Sequence, residues 1–323
     1  MDDKNDIKEK IKKLFNLAFQ NHQKNNFDEA KNLYKSVLDL NSNHLESNFL
    51  LGTLFAQNKK FDEAILSLKK VININSKMID AHNNLGLIYK EVGDLKNALN
   101  SMKIAIEINP KNAEIHNNLG IIYDELNQEK FAFIHFKKAL EINSKYPEPY
   151  YNMGRCYNKL NLFDEAINSY EKSIEINPKL IKSFNNLSLI YQDLNEFQKA
   201  INCNEKIIKI NSNYINSYNN LAIIFKELGE FDKAIEYCKK AIQINPNHVN
   251  AYNNLGIILS EIGKLNESKK YFEKSLELVP GRKKTLSGYG ALLLKLNDHY
   301  NGLNYLKKGM GIIKFTKDKI LII

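Results

Sequence analysis

The chain has 323 residues, 43% of them hydrophobic, no Trp, and a formal charge of +9 from 46 Lys and Arg against 37 Asp and Glu. An apolar share of this size is ordinary for a folded soluble protein, and no apolar run approaches the roughly 18 residues of a membrane-spanning helix. The charge admits nucleic acid or acidic surfaces as partners, but does not say which face is basic. Cys156, Cys203 and Cys238 share no CxxC spacing, so reduced thiols acting as small core residues are expected. The start, Met1-Asp2-Asp3-Lys4, lacks a signal-peptide pattern, and the expectation is a soluble, cytoplasmic protein.

A strict internal repeat sets the organisation. Ala18, Gly52, Gly86, Gly120, Gly154, Ser188, Ala222, Gly256 and Gly290 are each 34 residues apart. Counting this small residue as position 8, nine repeats begin at Ile11, Leu45, Ile79, Ala113, Pro147, Ile181, Ile215, Val249 and Lys283. Position 7 is Leu in seven of them, Met153 in the fifth and Tyr289 in the ninth, while Phe55, Tyr89, Tyr123, Tyr157, Tyr191 and Phe225 place an aromatic at position 11. Position 20 runs Ala30, Ala64, Ala98, Ala132, Ala166, Ala200, Ala234, then Ser268 and Gly302.

Positions 4, 7, 8 and 11 follow the i, i+3, i+4, i+7 stripe of a helix, and Phe231, Ala234, Ile235, Cys238, Ala241 and Ile242 exemplify a second stripe. Breaks such as Leu228-Gly229-Glu230 separate the two, and Asn-Pro or Asn-Ser pairs such as Asn109-Pro110 and Asn75-Ser76 end the repeats. Each repeat therefore reads as an antiparallel pair of helices, A and B, with small residues at 8 and 20 where they cross. Neither helix pair can bury its stripes alone, so stability must come from stacking. At the start, Asp6 and Glu9 have the spacing of a capping box. At the end, Ile320-Leu321-Ile322-Ile323 closes an apolar tail expected to fold back on the last repeat or to be the start of a further element.

The pattern resembles the tetratricopeptide repeat, whose signature has Leu-Gly at positions 7 and 8, Tyr at 11, Ala at 20 and Pro at 32. The resemblance covers residues 11–313 and implies an all-α, right-handed α-solenoid of about nine helix–turn–helix units. Residues 1–10 would be an N-terminal cap and residues 314–323 a C-terminal tail. The first and last repeats depart from the signature, with Leu17-Ala18 and Asn21 in one and Gly288, Gly302 and Gly309 in the other, as end units require.

Catalysis finds no support. GxSxG, HExxH, CxxC and phosphate-binding glycine loops are all absent, and no convincing strand is present. His82 and His116 share position 4 of adjacent repeats, but lack ligand spacing and are expected to pack rather than to hold a metal. Asp28-Glu29, Asp62-Glu63 and Asp164-Glu165 sit where helix B begins and complement its dipole. No enzyme, cofactor or metal is expected.

The asparagines at positions 5 and 6 carry the functional expectation, since a helix would more cheaply hold Ala, Glu or Lys there. Position 6 is Asn84, Asn118, Asn152, Asn186, Asn220 and Asn254, flanked at position 5 by Asn83, Asn117, Asn185, Asn219 and Asn253. In the family, helix A lines a concave groove, so these amides would form a ladder there, with Arg155 the one base at position 9. An amide offers donor and acceptor together, matching a peptide backbone whatever its side chains. The arrangement is similar to the repeat segment of O-linked N-acetylglucosamine transferases, where an asparagine ladder holds extended polypeptide. It implies a scaffold for protein–protein interaction, or alternatively the substrate-recruiting part of a protein-modifying enzyme system.

Positions 2, 9, 12 and 13 of the second to eighth repeats carry ten acids and five bases, while lysines such as Lys69-Lys70, Lys137-Lys138 and Lys239-Lys240 gather on helix B. The groove would thus favour a neutral to basic peptide, and a nucleic-acid groove would need the opposite arrangement. The Lys, Asn and Arg clamp that chaperone-binding members use for a C-terminal carboxylate is missing, which disfavours that partner.

Overall fold

The computed structural model describes residues 2–311, 313–315 and 320–322. The chain divides into two compact units, residues 1–176 and 177–323. The first holds α1 (Asp2–Gln23), α2 (Phe27–Leu40), α3 (Leu45–Gln57), α4 (Phe61–Ile74), α5 (Ile79–Glu91), α6 (Leu95–Ile108), α7 (Ala113–Glu125), α8 (Glu129–Ile142), α9 (Pro147–Lys159) and α10 (Phe163–Ile176). The second holds α11 (Ile181–Asp193), α12 (Phe197–Ile210), α13 (Ile215–Glu227), α14 (Phe231–Ile244), α15 (Val249–Glu261), α16 (Leu265–Leu278), α17 (Lys283–Lys295) and α18 (His299–Met310). Odd-numbered helices are helix A of a repeat and even-numbered ones helix B. Within each unit an A helix packs on its own B helix and touches the next A helix, as α5 touches α7 and α13 touches α15.

Two kinds of turn connect the helices, and each has a local cause. After helix A the chain reverses through one residue of left-handed conformation: Asn25, Lys59, Gly93, Asn127, Asn161, Asn195, Gly229, Gly263 and Asn297, all with φ between 55° and 81°. The next residue's N–H then reaches back to the position-11 carbonyl, as in Asp94 to Tyr89 (2.8 Å), Gln128 to Tyr123 (2.8 Å) and Glu230 to Phe225 (2.8 Å). This is the wrap-around bond that satisfies a helix C-terminus, and Gly and Asn are the residues that tolerate its geometry. Lys59 alone carries a long side chain there.

After helix B, the side chain of Asn41, Asn75, Asn109, Asn143, Asn177, Asn211 or Asn245 accepts the N–H two residues on, at 2.9–3.2 Å. The recurring Asn of the Asn-Pro and Asn-Ser pairs is thus an Asx turn as well as a stop. Position 4 completes the corner: Asn48, His82, His116 and Tyr218 each donate to the backbone carbonyl six residues before, that of Ser42, Ser76, Pro110 and Ser212.

Inside a hairpin the close approach is made by positions 8 and 24. Tyr34, Leu68, Met102, Phe136, Tyr170, Asn204, Cys238 and Phe272 occupy position 24, all at most 1% exposed. Position 8 is Gly opposite each of the large ones except Tyr34, whose repeat has Ala18, and a Cβ built on Gly120 or Gly154 would stand 2.4 Å from a Phe136 or 2.7 Å from a Tyr170 ring carbon. In the two repeats whose position 24 is Cys238 or Asn204, position 8 is Ala222 or Ser188 instead of Gly. That last pair is polar and closed on itself, with Asn204 donating to Ser188 Oγ (2.5 Å) and to the Ala200 carbonyl (3.0 Å). Cys156, Cys203 and Cys238 are buried.

Both ends differ from expectation. Asp6 and Glu9 form no capping box, because α1 already runs from Asp2 and holds both within it. No Gly or Pro interrupts this stretch, and Glu9 pairs with Lys13 one turn on (3.2 Å). At the other end the fold is not purely helical: β1 (Ile313–Phe315) and β2 (Ile320–Ile322) pair antiparallel, Lys314 opposite Leu321. Their isoleucines have high strand propensity. The expected fold-back concerns residues partly outside the described ones, though β1 does touch α18.

Two substitutions test this account. Gly120→Ala should destabilise the chain by about 1–3 kcal/mol in urea unfolding through overpacking against Phe136, while Gly281→Ala, with nothing within 4 Å of the added carbon, should change little. Lys59→Gly should stabilise by about 1 kcal/mol, by relieving the left-handed backbone.

Candidate functional site

The helix-A face presents the asparagines, and the structure places them in pairs. The position-6 amide donates to the position-5 amide of the preceding repeat: Asn118 to Asn83 (3.1 Å), Asn152 to Asn117 (2.9 Å) and Asn254 to Asn219 (2.8 Å). The fold therefore uses these residues, contrary to the view that a helix has no need of them. Each such bond takes one donor and one acceptor site of the two amides and leaves the rest of their capacity.

Burial grades the set. Asn117, Asn118, Asn152, Asn253 and Asn254 are buried, whereas Asn83, Asn84, Asn185, Asn186, Asn219 and Asn220 are half-buried. Asn84 follows a repeat with Phe49 at position 5, so it has no amide behind it to meet. Asn220 reaches instead for the core amide of Asn204, at 3.5 Å. The series stops in the last repeat, where position 6 is Gly288. Its ideal Cβ would lie 2.8 Å from Phe272 Cε1, and the buried Oδ1 of Asn253 is left without a protein donor.

Charge surrounds the amides. Arg155, exposed, lies 3.7 Å from the Asp124 carboxylate, so it is a partner of the fold before it is one for a ligand. Lys159 also meets Asp124 (3.4 Å) and Glu129 (3.1 Å), which hold its charge and raise its pKa against a desolvation that would lower it. Desolvation, reinforced by Asp124, pushes the Cys156 thiol up to about 12, so it is no nucleophile.

Position 9 supplies what the amides lack. Leu87 and Ile121 in the first unit, and Leu189, Ile223 and Ile257 in the second, lie one helical turn beyond position 6. In the second unit Ile223, Ile257 and Ile258 form a recess of about 220 Å³ with Asn254, its rim made by Lys226, Glu227 and Lys284. The sequence shows this aliphatic line at a fixed phase, every 34 residues. Lys284 occupies position 2 of the ninth repeat.

The histidines do not converge on a metal. His82 and His116 each spend Nε2–H on a carbonyl, and His116 Nδ1 lies 3.0 Å from His135 Nδ1. Since the carbonyl holds the proton on His116 Nε2, His135 is the donor between the two rings. His135 also stacks on Tyr123 at 5.4 Å. Among the described residues no three His, Cys, Asp or Glu side chains come together as ligands, and no helix is long and apolar enough to cross a membrane.

Family profiles now meet this geometry. Tetratricopeptide repeat profiles match residues 113–146, 147–180, 181–214, 215–248 and 237–270, and a TPR repeat profile matches 52–93 and 88–127. The matches run without a gap over residues 52–270, more than half of the chain. The chain belongs to the tetratricopeptide repeat family.

No curated relative matches the sequence. Among solved structures, pilF of Pseudomonas aeruginosa is similar at a TM-score of 0.56 and 22% identity, covering 67% of this chain and 97% of that one. The APC/C hetero-tetramer Cut9–Hcn1 matches at 0.57 and 14%, covering 83% of this chain and 52% of that one. YrrB, described as a TPR protein with an unusual peptide-binding site, gives 0.48 and 20%, covering 57% and 95%. The likenesses to pilF and to Cut9–Hcn1 are of fold alone.

Two measurements probe the site. A double-mutant cycle over Asn117→Ala and Asn152→Ala should give a coupling of about 0.5–1.5 kcal/mol in unfolding free energy. Burial, with His116 and nearby lysines behind it, lowers the His135 pKa from 6.5 to about 4. The folded chain thus refuses a proton that the unfolded chain accepts. Unfolding midpoints should be flat above the unfolded value and fall as pH drops from 6.5 towards 4, and His135→Phe should flatten that fall.

Proposed function

We propose that this chain is a non-catalytic scaffold that holds an extended polypeptide segment against the helix-A faces of its compact units. The observation that carries this reading is the row of amides fixed by one another, Asn118 on Asn83, Asn152 on Asn117 and Asn254 on Asn219, beside the aliphatic line of position 9. Side chains already locked in place lose little rotamer entropy on binding, so an amide facing a peptide backbone hydrogen-bonds from a prepared position. In the proposed site Asn83, Asn84, Asn117, Asn118, Asn152, Asn185, Asn186, Asn219, Asn220, Asn253 and Asn254 act as one amide set, with the Arg155 guanidinium beside it. The more deeply buried members position the less buried ones.

On the first unit, acids outnumber bases at positions 2, 9, 12 and 13 of helix A, with Glu46, Asp80, Glu91, Glu114, Asp124, Glu125 and Glu148 against Lys90, Arg155 and Lys159. A neutral or basic segment suits that face, and a phosphate backbone does not.

A photo-cross-linking amino acid placed at Arg155 or Leu189, both exposed on helix A, should capture a polypeptide in cells, whereas one at Lys137 on helix B should not. Capture from Lys137 alone would end the reading. Asn84 separates ligand from fold, since it lacks the inter-repeat bond. Asn84→Ala should weaken capture at Arg155 and leave stability within about 0.5 kcal/mol.

A further inference from the structure

Resting on that reading, we propose that the recess between α13 and α15 is a specificity pocket for a branched aliphatic side chain next to an acidic residue of the bound segment. Ile223, Ile257 and Ile258 supply an apolar floor of about 220 Å³, with Ile258 only 1% exposed and the other two half-buried. Burying an aliphatic side chain there gains the usual hydrophobic transfer term, and a polar one would lose its water. Asn254 stands at the edge, held by Asn219 at 2.8 Å and accepting from Asn253 at 3.4 Å. It can therefore meet the backbone of the residue whose side chain enters.

The rim chooses the neighbour. Lys226 is compensated, with Glu227 at 2.8 Å and Glu261 at 3.8 Å. Lys295 is turned to the Ser260 carbonyl (3.1 Å) and hydroxyl (3.2 Å). Lys284 is exposed and, among the described residues, has no carboxylate within ion-pair distance. Helix α17, which carries it, holds no acid at all. The pocket rim is thus complementary to a carboxylate, the reverse of the acidic helix-A face in the first unit.

The test is selection of short random peptides displayed on phage against the whole chain, and against Ile257→Ser and Lys284→Glu variants of unchanged far-ultraviolet dichroism. The whole chain should enrich peptides with Leu, Ile or Val beside Asp or Glu. Replacing that aliphatic residue by Ser in a selected peptide should weaken binding about tenfold. Ile257→Ser should lose the aliphatic preference. Lys284→Glu, on an exposed side chain that leaves the core untouched, should keep it and exchange the acidic neighbour for a basic one. Peptides selected without an aliphatic preference, or with one that Ile257→Ser leaves intact, overturn the pocket while the scaffold reading survives. An acidic preference unchanged in Lys284→Glu removes the rim's role and with it the proposal. No peptide selected by the whole chain counts against both.

Discussion

Everything in these repeats depends on how closely helix A approaches helix B. The limit is set where position 8 meets position 24, and the fit is matched repeat by repeat: Gly120 under the Phe136 ring, Gly154 under that of Tyr170, Ser188 against the amide of Asn204. Because the ring fills the space a methyl group would need, the interhelical distance is fixed by contact rather than by loop length. The left-handed residue after helix A and the Asx turn after helix B only deliver the helices to that contact. With the helices so packed, position 6 of the fourth, fifth and eighth repeats lies within hydrogen-bond reach of position 5 of the repeat before, and these amide pairs form as a by-product of packing.

Most of this was legible in the sequence, for a physical reason. A stacked hairpin meets the same steric demand every 34 residues, so the demand is written once per repeat and reinforced by repetition. The phase of Leu119 and Gly120, or of Asn109 and Pro110, could hardly signify anything else. What escaped was pairing between repeats. Sequence spacing shows that Asn117 and Asn152 are each in phase, but not that one donates to the other at 2.9 Å, because the offset between stacked helices is a tertiary quantity. The same holds for Arg155, whose nearest carboxylate lies on the preceding A helix. The extension of α1 through Asp6 escaped for the opposite reason: with no breaker present, a good capping signature is also good helix sequence.

The two compact units also carry different electrostatics on equivalent positions. A single charge count over the whole series averages an acidic helix-A face around Asp80, Glu91 and Glu114 with the region of Lys226 and Lys284, where bases prevail. Local sign, not net charge, is what a bound segment meets within a screening length. The repeat architecture permits this, since positions 2 and 13, which lie mostly in solvent, are free of the packing demand that holds positions 7, 8, 11, 20 and 24.

The amide pairs have one further consequence, for mechanics rather than recognition. Each of them runs in the same sense along the chain, the later repeat donating to the earlier. When a guest N–H engages the oxygen of an amide such as Asn118, it polarises that amide and strengthens the bond its own N–H makes to Asn83. By reciprocity, whatever free energy the guest gains from this stiffening is returned as tighter cohesion of the fourth repeat on the third. Were a segment bound as proposed, the occupied repeats would be a stiffer spring than the empty ones, and stretching them should loosen the guest.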